Sequence, residues 1–495
     1  MRVRLDADPF VHRDRGKTLW TRGAWPARWI AHPDPGAMPF VIACKRHFKL
    51  AAEETIRLHV SADERYQLYC DGVLIGRGPE RGDADNWFFE SYELALPAGR
   101  HTLVARVWSL GAALSPYAQM SVDHGLLVAC DEPYLELLAT GVAPWESMVL
   151  PGYTFAPSGL AWGTGARVEI DGQRFAWNFH RGDGDGWTSA AVRQAAVTAG
   201  RMEAGPSHLM RPAILPAMVE RYVRAGRVRH VGELGAGVES AGVPIDPAHD
   251  LPDEREALQA RLANHQPLQF EPHARRRIVI DLENYYCAYP VVVTTGGRGS
   301  VVRLAWAESL FDTPDPAHKK KGDRNAIDGK YFIGVGDTFR PDGGTGREFE
   351  TLWWEAGRYV ELIVEMADDP LELNLILKET RYPLEMRAQF DASDPRLVES
   401  VPILMRGLQM CAHETYVDCP YYEQLMYVGD ARLEALATYA VSGDDRLARK
   451  SLLLFNESRL PSGLTQSRYP CRVRQVIPPF SLLWVAMVHD FAMWR

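Results

Sequence analysis

Apolar and polar residues alternate with a period of two from about residue 41, which is the pattern of β-strands that expose one face to solvent. The run TIRLHV alternates in this way. The run YQLYC-DG-VLIG adds a hairpin signal, because Asp71-Gly72 suits the positive φ values of a two-residue type I′ turn. Residues 41–190 are therefore predicted to form an antiparallel β-sandwich of the jelly-roll kind.

The segments on either side of this block have different patterns. Residues 1–40 are rich in proline and tryptophan and are predicted to be an irregular lead-in, and residues 191–265 are predicted to be a connector with a short charged helix at EREALQARLAN. Strand patterns return in RRRIVIDL, PVVVTTGGRGSVVRLAW and GRYVELIVEM, with Gly296-Gly297 as a predicted hairpin turn. Residues 266–385 are therefore predicted to form a second sandwich.

The apolar period changes to 3.6 residues near the end of the sequence. Asp394 and Pro395 supply an N-cap and a first-turn proline for one helix, and a second helix is predicted to follow a turn at Val428-Gly429-Asp430. A third and a fourth follow, and the last run, VIPPFSLLWVAMVHDFAMWR, is apolar on nearly every face, as in the inner ring of a helical barrel. Residues 386–495 are thus predicted to be the first helices of an array. The predicted buried stripes are Leu397, Val401, Leu404, Leu408 and Cys411, then Leu433, Leu436, Ala437 and Ala440, then Leu447, Ser451, Leu454 and Phe455.

The composition narrows the class of protein. With 495 residues, 46% of them hydrophobic and 24% charged, the chain is typical of a globular protein of about three domains. The net charge of −9 is spread along the sequence, which argues against a nucleic-acid partner or an anionic membrane surface and favours a neutral ligand. The 14 Trp and 19 Tyr offer flat faces that suit sugar rings, although most of them are expected in cores.

Cysteine usage and the N-terminus bear on the compartment. The 7 cysteines are scattered and odd in number, so the sequence predicts neither a disulfide framework nor a zinc site. The first residues lack the apolar stretch of a secretion signal, and no window supplies the roughly 18 apolar residues of a membrane span. These features predict a cytoplasmic protein.

The segment YVDCPYYEQLMYVGDAR, between the first two predicted helices, concentrates the carboxylates of Asp418, Glu423 and Asp430 among tyrosines. Cleaving a glycosidic bond needs one protonated carboxyl group that hands its proton to the leaving oxygen, and a carboxylate opposite to it. Glu423 lies between Tyr422 and Tyr427 in an apolar stretch that is expected to raise its pKa, so it is the candidate acid. The alternative is that Asp418 and Asp430 are helix-terminal residues, with Asp430 as a cap.

The segment DCPYYEQLMYVGD resembles the acidic signature of the bacterial α-L-rhamnosidases, glycoside hydrolase family 78, in which D-C-P, a Glu five residues after the Asp and a G-D twelve residues after it recur. GLTQSRYP and IPPFSLLW resemble the next barrel loops of that family. RNAIDGKYFIGVGDTFRPDGG and LWWEAGRYVEL resemble the sandwich that precedes its barrel. The likeness covers most of the chain and is close after about residue 266.

The resemblance implies a multidomain β + α architecture, in which two antiparallel β-sandwich domains are followed by the start of an (α/α)6 barrel. It also implies hydrolysis of terminal α-L-rhamnosides with inversion. By position, Glu423 matches the general acid, and Asp418 and Asp430 match acids that hold the rhamnose hydroxyls. Tyr427 stands where an aromatic residue lines the sugar pocket. The other candidates for this pocket are Arg468 and Tyr469.

The sequence departs from the family in two places. Tyr422 stands where many members carry an arginine, and the family's general base, a glutamate further along the barrel, is matched by neither Glu457 nor Asp490. About four of the barrel's helices are predicted, so the chain is expected to be either a fragment of a longer enzyme or a protein whose site does not hydrolyse. The rival hypothesis is a non-catalytic sugar-binding or scaffolding β-sandwich protein with an incomplete helical domain.

The expected ligand is an oligosaccharide or a rhamnosylated small molecule. No cofactor or catalytic metal is expected, because acid/base hydrolysis of a glycoside needs none. The sequence predicts no nucleic-acid partner and no membrane partner, and it leaves open a structural calcium ion and a homodimer.

Overall fold

Strands fill about the first three quarters of the protein and the longer helices follow them. This order confirms the coarse prediction of a β-rich multidomain protein that ends in helices. The computed structural model of the protein describes residues 1–13, 23–199, 208–223, 226–235, 237–318 and 320–495.

The elements of these ranges are numbered in chain order. The strands of the first part are β1 Arg2–Val3, β2 Ala24–Ala31, β3 Phe40–Leu50, β4 Glu54–Asp63, β5 Arg65–Cys70, β6 Val73–Gly78, β7 Trp87–Leu96, β8 Gly99–Ser109, β9 Gly125–Cys130, β10 Glu146–Val149, β11 Tyr153–Pro157, β12 Ala166–Asp171, β13 Thr188–Ser189, β14 Ala191–Thr198 and β15 Leu209–Pro212. The later strands are β16 Val219–Val223, β17 Arg227–Glu233, β18 Leu268–Phe270, β19 Arg275–Gly296, β20 Val301–Ala307, β21 Val335–Arg340, β22 Arg347–Glu350, β23 Glu355–Glu365 and β24 Leu371–Arg381. The helices are α1 Leu135–Leu138, α2 Pro252–Ala263, α3 Pro395–Met410, α4 Val428–Val441, α5 Arg446–Glu457 and α6 Pro478–Trp494.

Within the described ranges the strands form three sheets. The first has the order β1-β7-β15-β14-β2-β9-β4 and the second the order β13-β10-β3-β8-β5-β6. These two sheets share one core and are called the first β unit below. The third sheet runs β11-β12-β21-β20-β23-β19-β24-β16, with β17, β18 and β22 paired at its sides.

The period-two pattern of β3 explains how the three sheets stack. Ile42 and Cys44 enter the core inside the first β unit. Val41 and Ala43 point to the opposite face and enter a second core, which they share with the third sheet. Because successive side chains of a strand leave on opposite faces, a strand that is apolar at every position is buried on both sides. The second sheet is therefore the middle layer.

The hairpin at Asp71-Gly72 is confirmed. The two residues have φ values of 50° and 82°, and β5 and β6 pair antiparallel on either side of them. Two positive φ values in succession are what a type I′ turn requires.

The predicted hairpin at Gly296-Gly297 is wrong. Both glycines have positive φ, but β19 does not pair with β20, because β23 lies between them in the sheet. The pairing of β19 with β23 shifts register between Asp281 and Tyr286, and the last part of β19 pairs with β24 instead. The turn at Gly296 therefore connects β19 to β20, two strands that are not neighbours in the sheet.

The structure places several strands outside the predicted segments. The expected lead-in, residues 1–40, contains β2, and the expected connector, residues 191–265, contains β14 and β15, all three within the first sheet. In turn β11 and β12 lie before residue 190 yet join the third sheet. These pairings join residues that are far apart in the chain, so a local pattern cannot reveal them.

Three of the four predicted helices begin where the sequence predicts, whereas α4 begins at Val428, inside the predicted Val428-Gly429-Asp430 turn. Not all of the helices bury the predicted face. The Asp394 carboxylate accepts the Arg396 N–H at the start of α3, and the stripe of α5 is buried as predicted. In α3 and α4 the stripes are wrong, since Leu404 is 68% and Leu433 66% exposed. In α6 only Met487 is fully buried. Periodicity identifies an apolar face but not the element that covers it.

Among the helices that the described ranges contain, none has the length and apolar character to cross a bilayer. All seven cysteines are free.

Two carboxyl groups are buried together in the third sheet. Asp337 accepts a hydrogen bond from the Val168 N–H at 2.7 Å, and burial raises the pKa of Asp337 to about 7. Burial and then the Asp337 charge raise the pKa of Glu355 well above its usual range. Both groups line a cavity of about 60 Å³, which has room for water but not for a sugar. The folded protein therefore holds protons here that the unfolded chain releases.

We expect the Glu355→Gln variant to lose less thermal stability than the wild type as the pH rises. A carboxyl whose pKa is raised by folding stabilises the folded state below its unfolded pKa, and this contribution is lost as the pH rises through the folded pKa. The melting temperature of the variant should exceed that of the wild type by about 2 °C or more near about pH 8 and approach it near about pH 4.5. Calorimetric melts across this range measure the difference.

The matched control is Glu348→Gln, because Glu348 is exposed on β22 of the same sheet. Its melting temperature should follow that of the wild type at every pH. Parallel curves for Glu355→Gln and wild type would contradict the prediction.

Candidate active site

The acidic segment forms a closed loop between α3 and α4. The Asp418 N–H donates to the Leu425 carbonyl at 2.8 Å, and the Leu425 N–H donates back to the Asp418 carboxylate at 3.1 Å. Gln424, just before this closure, has a φ of 56°, a left-handed conformation that reverses the chain. Glu423 therefore lies at the turn of the loop, where it is half-buried.

Gln424 fixes the loop to the two β regions. Its amide oxygen accepts the Trp353 indole N–H at 2.7 Å, and its side-chain amide donates to the Pro420 carbonyl at 3.0 Å. Its main-chain carbonyl accepts from the Arg81 guanidinium at 3.3 Å. Because Trp353 precedes β23 and Arg81 follows β6, the third sheet and the first β unit both hold the residue next to Glu423.

Two arginines of the first β unit share the ring of Trp353. The guanidinium carbons of Arg65 and Arg81 lie 4.6 and 4.8 Å from its ring centre, within the range of cation–π attraction. Arg65 also donates two hydrogen bonds to Glu414, at 2.9 and 2.5 Å. Burial alone would raise the pKa of Glu414, but Arg65 and then Arg81 lower it to about 2. Glu414 is therefore a charged anchor rather than a proton donor.

A short relay of hydrogen bonds reaches the Glu423 carboxyl group. The Tyr427 hydroxyl donates to Glu423 Oε2 at 3.0 Å, and Arg468 Nη1 donates to the Tyr427 hydroxyl at 2.8 Å. The backbones of Tyr427 and Arg468 form an antiparallel bridge, which sets this spacing. The tyrosine thus orients one carboxyl oxygen of Glu423.

Asp418 and Glu423 interact directly. Burial and then the neighbouring Glu423 carboxyl raise the pKa of Asp418 to about 7. When two carboxyl groups interact this strongly, the protons belong to the pair, because both groups cannot easily carry charge at once. Asp418 therefore keeps its proton to a higher pH than an isolated aspartate does.

Asp430 and Glu434 lie on one face of α4, beside this pair. Asp430 is exposed in the first turn, but it does not cap the helix, since the N-cap is Tyr427. Burial and then the charges of Asp430 and Asp418 raise the pKa of Glu434 well above its usual range. The sequence analysis missed Glu434, although its spacing of one helical turn from Asp430 places the two on the same face.

The two remaining candidates for the sugar pocket, Arg468 and Tyr469, make different contacts in the structure. Arg468 faces the site through Tyr427. The Tyr469 hydroxyl instead donates to Asp83 of the first β unit at 2.5 Å, with the ring 7% exposed. Tyr469 therefore anchors the loop that carries Arg468.

The loop between β11 and β12 of the third sheet also reaches Glu423, and nothing in the sequence indicated it. The Gly163 N–H donates to the Tyr422 carbonyl at 2.9 Å. A Cβ at Gly163 would lie 2.4 Å from the Glu423 carbonyl oxygen, so no larger residue fits there. Trp162 and Tyr117 lie beside this contact, with ring centres 5.0 Å apart.

The polar stretch between β20 and β21 touches the site as well. Lys321 Nζ donates to the Tyr422 hydroxyl at 2.7 Å and lies 3.7 Å from Glu308. Tyr422, which stands in place of the arginine common in the resembled family, is therefore held from the third sheet.

The helical segment matches a known family of domains. Residues 385–491, about a fifth of the chain, match the family model described as the bacterial alpha-L-rhamnosidase 6 hairpin glycosidase domain. The helices and the acidic loop thus form a domain of the hairpin glycosidase type. This match confirms the resemblance of DCPYYEQLMYVGD to the bacterial α-L-rhamnosidases. No curated protein sequence matches the chain.

Solved structures share the fold. The GH78 family rhamnosidase of Bacillus sp. GL1 is 17% identical and superposes with a TM-score of 0.76, over 95% of this chain and 67% of that one. The α-L-rhamnosidase from Dictyoglumus thermophilum is 15% identical, with a TM-score of 0.62 over 94% and 48%. The Streptomyces avermitilis α-L-rhamnosidase complexed with L-rhamnose is 15% identical, with a TM-score of 0.60 over 92% and 42%. The chain thus spans about two thirds of the first protein and less than half of the other two.

We expect the carboxyl pair to lose its shared proton when one partner is neutralised. In Glu423→Gln the neighbouring charge is removed, so the pKa of Asp418 should fall from about 7 toward its usual range. Carbon NMR of the protein with 13C-labelled aspartate carboxyl groups follows this titration. The Asp418→Asn variant assigns the Asp418 signal, because this substitution removes the Asp418 resonance and leaves the Asp337 resonance in place. An unchanged Asp418 titration in Glu423→Gln would show that the two groups are not coupled.

Proposed function

We propose that the protein is an α-L-rhamnosidase-like glycosidase that hydrolyses terminal α-L-rhamnosides by an inverting acid/base mechanism, with Glu423 as the general acid. The observation that carries this proposal is the Asp418–Glu423 pair, in which burial and the neighbouring Glu423 carboxyl raise the pKa of Asp418 to about 7. The pair lies in the segment that matches the hairpin glycosidase family model. A carboxyl group that keeps its proton until a leaving oxygen takes it is the central need of glycoside hydrolysis.

In this proposal the substrate itself places the proton. Sugar hydroxyls that donate to the Asp418 carboxylate favour its charged form, so the shared proton moves onto Glu423. The Tyr427 hydroxyl donates a hydrogen bond to Oε2 of Glu423, so Oε1 is the atom that gives the proton to the departing oxygen. The C–O bond breaks as this proton transfers, water adds to the opposite face of the sugar, and a general base on that face takes up the proton that the water releases. The product is then rhamnose of inverted anomeric configuration.

The remaining roles follow from position. We assign Asp430, exposed at the start of α4, and Arg468, with Tyr427, to the sugar pocket. Tyr469 supports Arg468 through its hydrogen bond to Asp83. The ligand in this proposal is a rhamnosylated small molecule or an oligosaccharide.

The finer architecture and the compartment belong to the same proposal. We propose that the sheets form two sandwich domains and that α3 to α6 are the opening helices of an (α/α)6 barrel. The shared core of the first two sheets and the family match of the helices support this arrangement. A cytoplasmic location is supported by the seven free cysteines.

Glu423→Gln should abolish most of the release of p-nitrophenol from p-nitrophenyl α-L-rhamnoside. Losing a positioned general acid costs about 10²–10⁴-fold in kcat, and the amide keeps the shape and the acceptor for Tyr427. Steady-state kinetics of the full-length protein measure this loss, and NMR of the first-formed product tests the inversion.

Glu457→Gln is the control, since Glu457 is exposed at the end of α5 and should leave kcat unchanged. The rival function, a sugar-binding protein without activity, predicts calorimetric binding of rhamnose with no turnover. Absence of turnover on any α-L-rhamnoside by the full-length protein would contradict the proposal.

The pH dependence of kcat/KM should follow the carboxyl pair. The proton donor must be protonated, so activity should fall as the pH rises through about 7, the pKa of Asp418. Asp418→Asn removes the neighbouring charge and should shift this limb to lower pH in the residual activity. A limb that stays in place in Asp418→Asn would assign it to a group outside the pair.

A further inference from the structure

Glu423 lies between two flanks of different chemistry. On one side are carboxyl groups, from Asp418 in the loop and from Asp430 and Glu434 on α4. On the other side the acidic loop meets the loop between β11 and β12, where Gly163 contacts the Glu423 backbone and Trp162 precedes that contact. Glu423 is the carboxyl group that lies where the two flanks meet.

The second flank is aromatic. The rings of Trp162 and Tyr117 meet edge to face, with centres 5.0 Å apart. The guanidinium carbon of Arg468 lies 5.8 Å from each of these ring centres and 5.7 Å from that of Tyr427. Trp162 is 41% exposed, which is high for an indole that is fixed between a glycine contact and a second ring. Its open face is therefore available to a ligand.

Arg468 joins the two flanks. Its Nη1 donates to the Tyr427 hydroxyl, which donates to Glu423, while its guanidinium lies among the rings of the second flank. The residue is 7% exposed, and its guanidinium also interacts with the Cys471 thiol. Arg468 therefore holds the aromatic rings next to the carboxyl group of Glu423.

We propose that Trp162 of the loop between β11 and β12 and Tyr117 of the first β unit form the binding surface for the leaving group of the substrate, whose flat ring stacks on Trp162. This rests on the proposed function. The proton of Glu423 goes to the leaving oxygen, so the leaving group lies against Glu423 on one flank, and the sugar being cleaved on the other. Carboxylates suit a ring that is dense in hydroxyls, whereas indole and phenol faces suit a flat apolar ring. The leaving group is thus a phenol-like aromatic ring or the apolar face of a second sugar.

The β-sheets then do more than support the helices. The acid comes from the loop before α4, but the surface that selects what is attached to the sugar comes from the loop between β11 and β12. Specificity for the leaving group therefore depends on how the β11–β12 loop packs against the loop before α4. The Gly163 contact sets this packing.

The test compares two substrates that differ only in the leaving group. For p-nitrophenyl α-L-rhamnoside, Trp162→Ala should lower kcat/KM about tenfold, mainly by raising KM, because a stacked ring is lost. For methyl α-L-rhamnoside, which has no ring to stack, the change should stay below about twofold. Trp162→Phe should restore most of the aryl activity. Equal losses on both substrates, or no loss on either, would overturn the proposal.

Trp494→Ala is the matched control, since Trp494 is a 52% exposed tryptophan on α6, and neither rate should change. If the wild type turns over neither substrate, the proposed function fails, and saturation-transfer NMR with p-nitrophenyl α-L-rhamnoside decides the inference separately. Saturation of the aryl protons by the wild type and its loss in Trp162→Ala supports the binding surface. Equal or absent saturation of these protons overturns it.

Discussion

Buried charges at the junction of the sheets and the helices must be paired, and this requirement fixes the position of the acidic loop. Lys450 of α5 lies 2.9 Å from Glu80 of the first β unit, and both side chains are almost fully buried. Arg65 pairs with Glu414 in the same way. Removing one partner of such a pair leaves a buried charge and costs roughly 3–5 kcal/mol. The helices therefore dock in one register against the sheets, and every distance in the site depends on it.

This docking converts an ordinary acidic loop into a proton-holding site. Gln424 is held from the first β unit by Arg81 and from the third sheet by Trp353, so Glu423 cannot swing away from Asp418. Partly buried and held beside the Glu423 carboxyl, Asp418 has a pKa raised to about 7. In water at the surface the same two groups would both be ionised near neutral pH. The chemistry of the loop is thus a property of its surroundings.

Local signals in the sequence were sufficient for several features. Asp71-Gly72 determined its turn, because a type I′ turn depends on the φ preferences of two residues. Asp394 determined the start of α3 through its own side chain. The same kind of signal failed at Gly296-Gly297, where the flexible pair is present but the strands on either side belong to different parts of the sheet. Turn chemistry permits a reversal, and strand pairing decides what it joins.

By itself the sequence determined the order of strands and helices, the placement of the carboxyl groups in one loop, and the resemblance to the rhamnosidases, since these depend on residues close together in the chain. Only the tertiary structure decided that Gly163 and Trp162 lie against Glu423, that the Tyr469 hydroxyl reaches Asp83, and that the Leu404 face of α3 stays exposed. The reason is physical. These contacts join residues from different sheets and helices, and their geometry exists only when buried charges and apolar faces have found their partners.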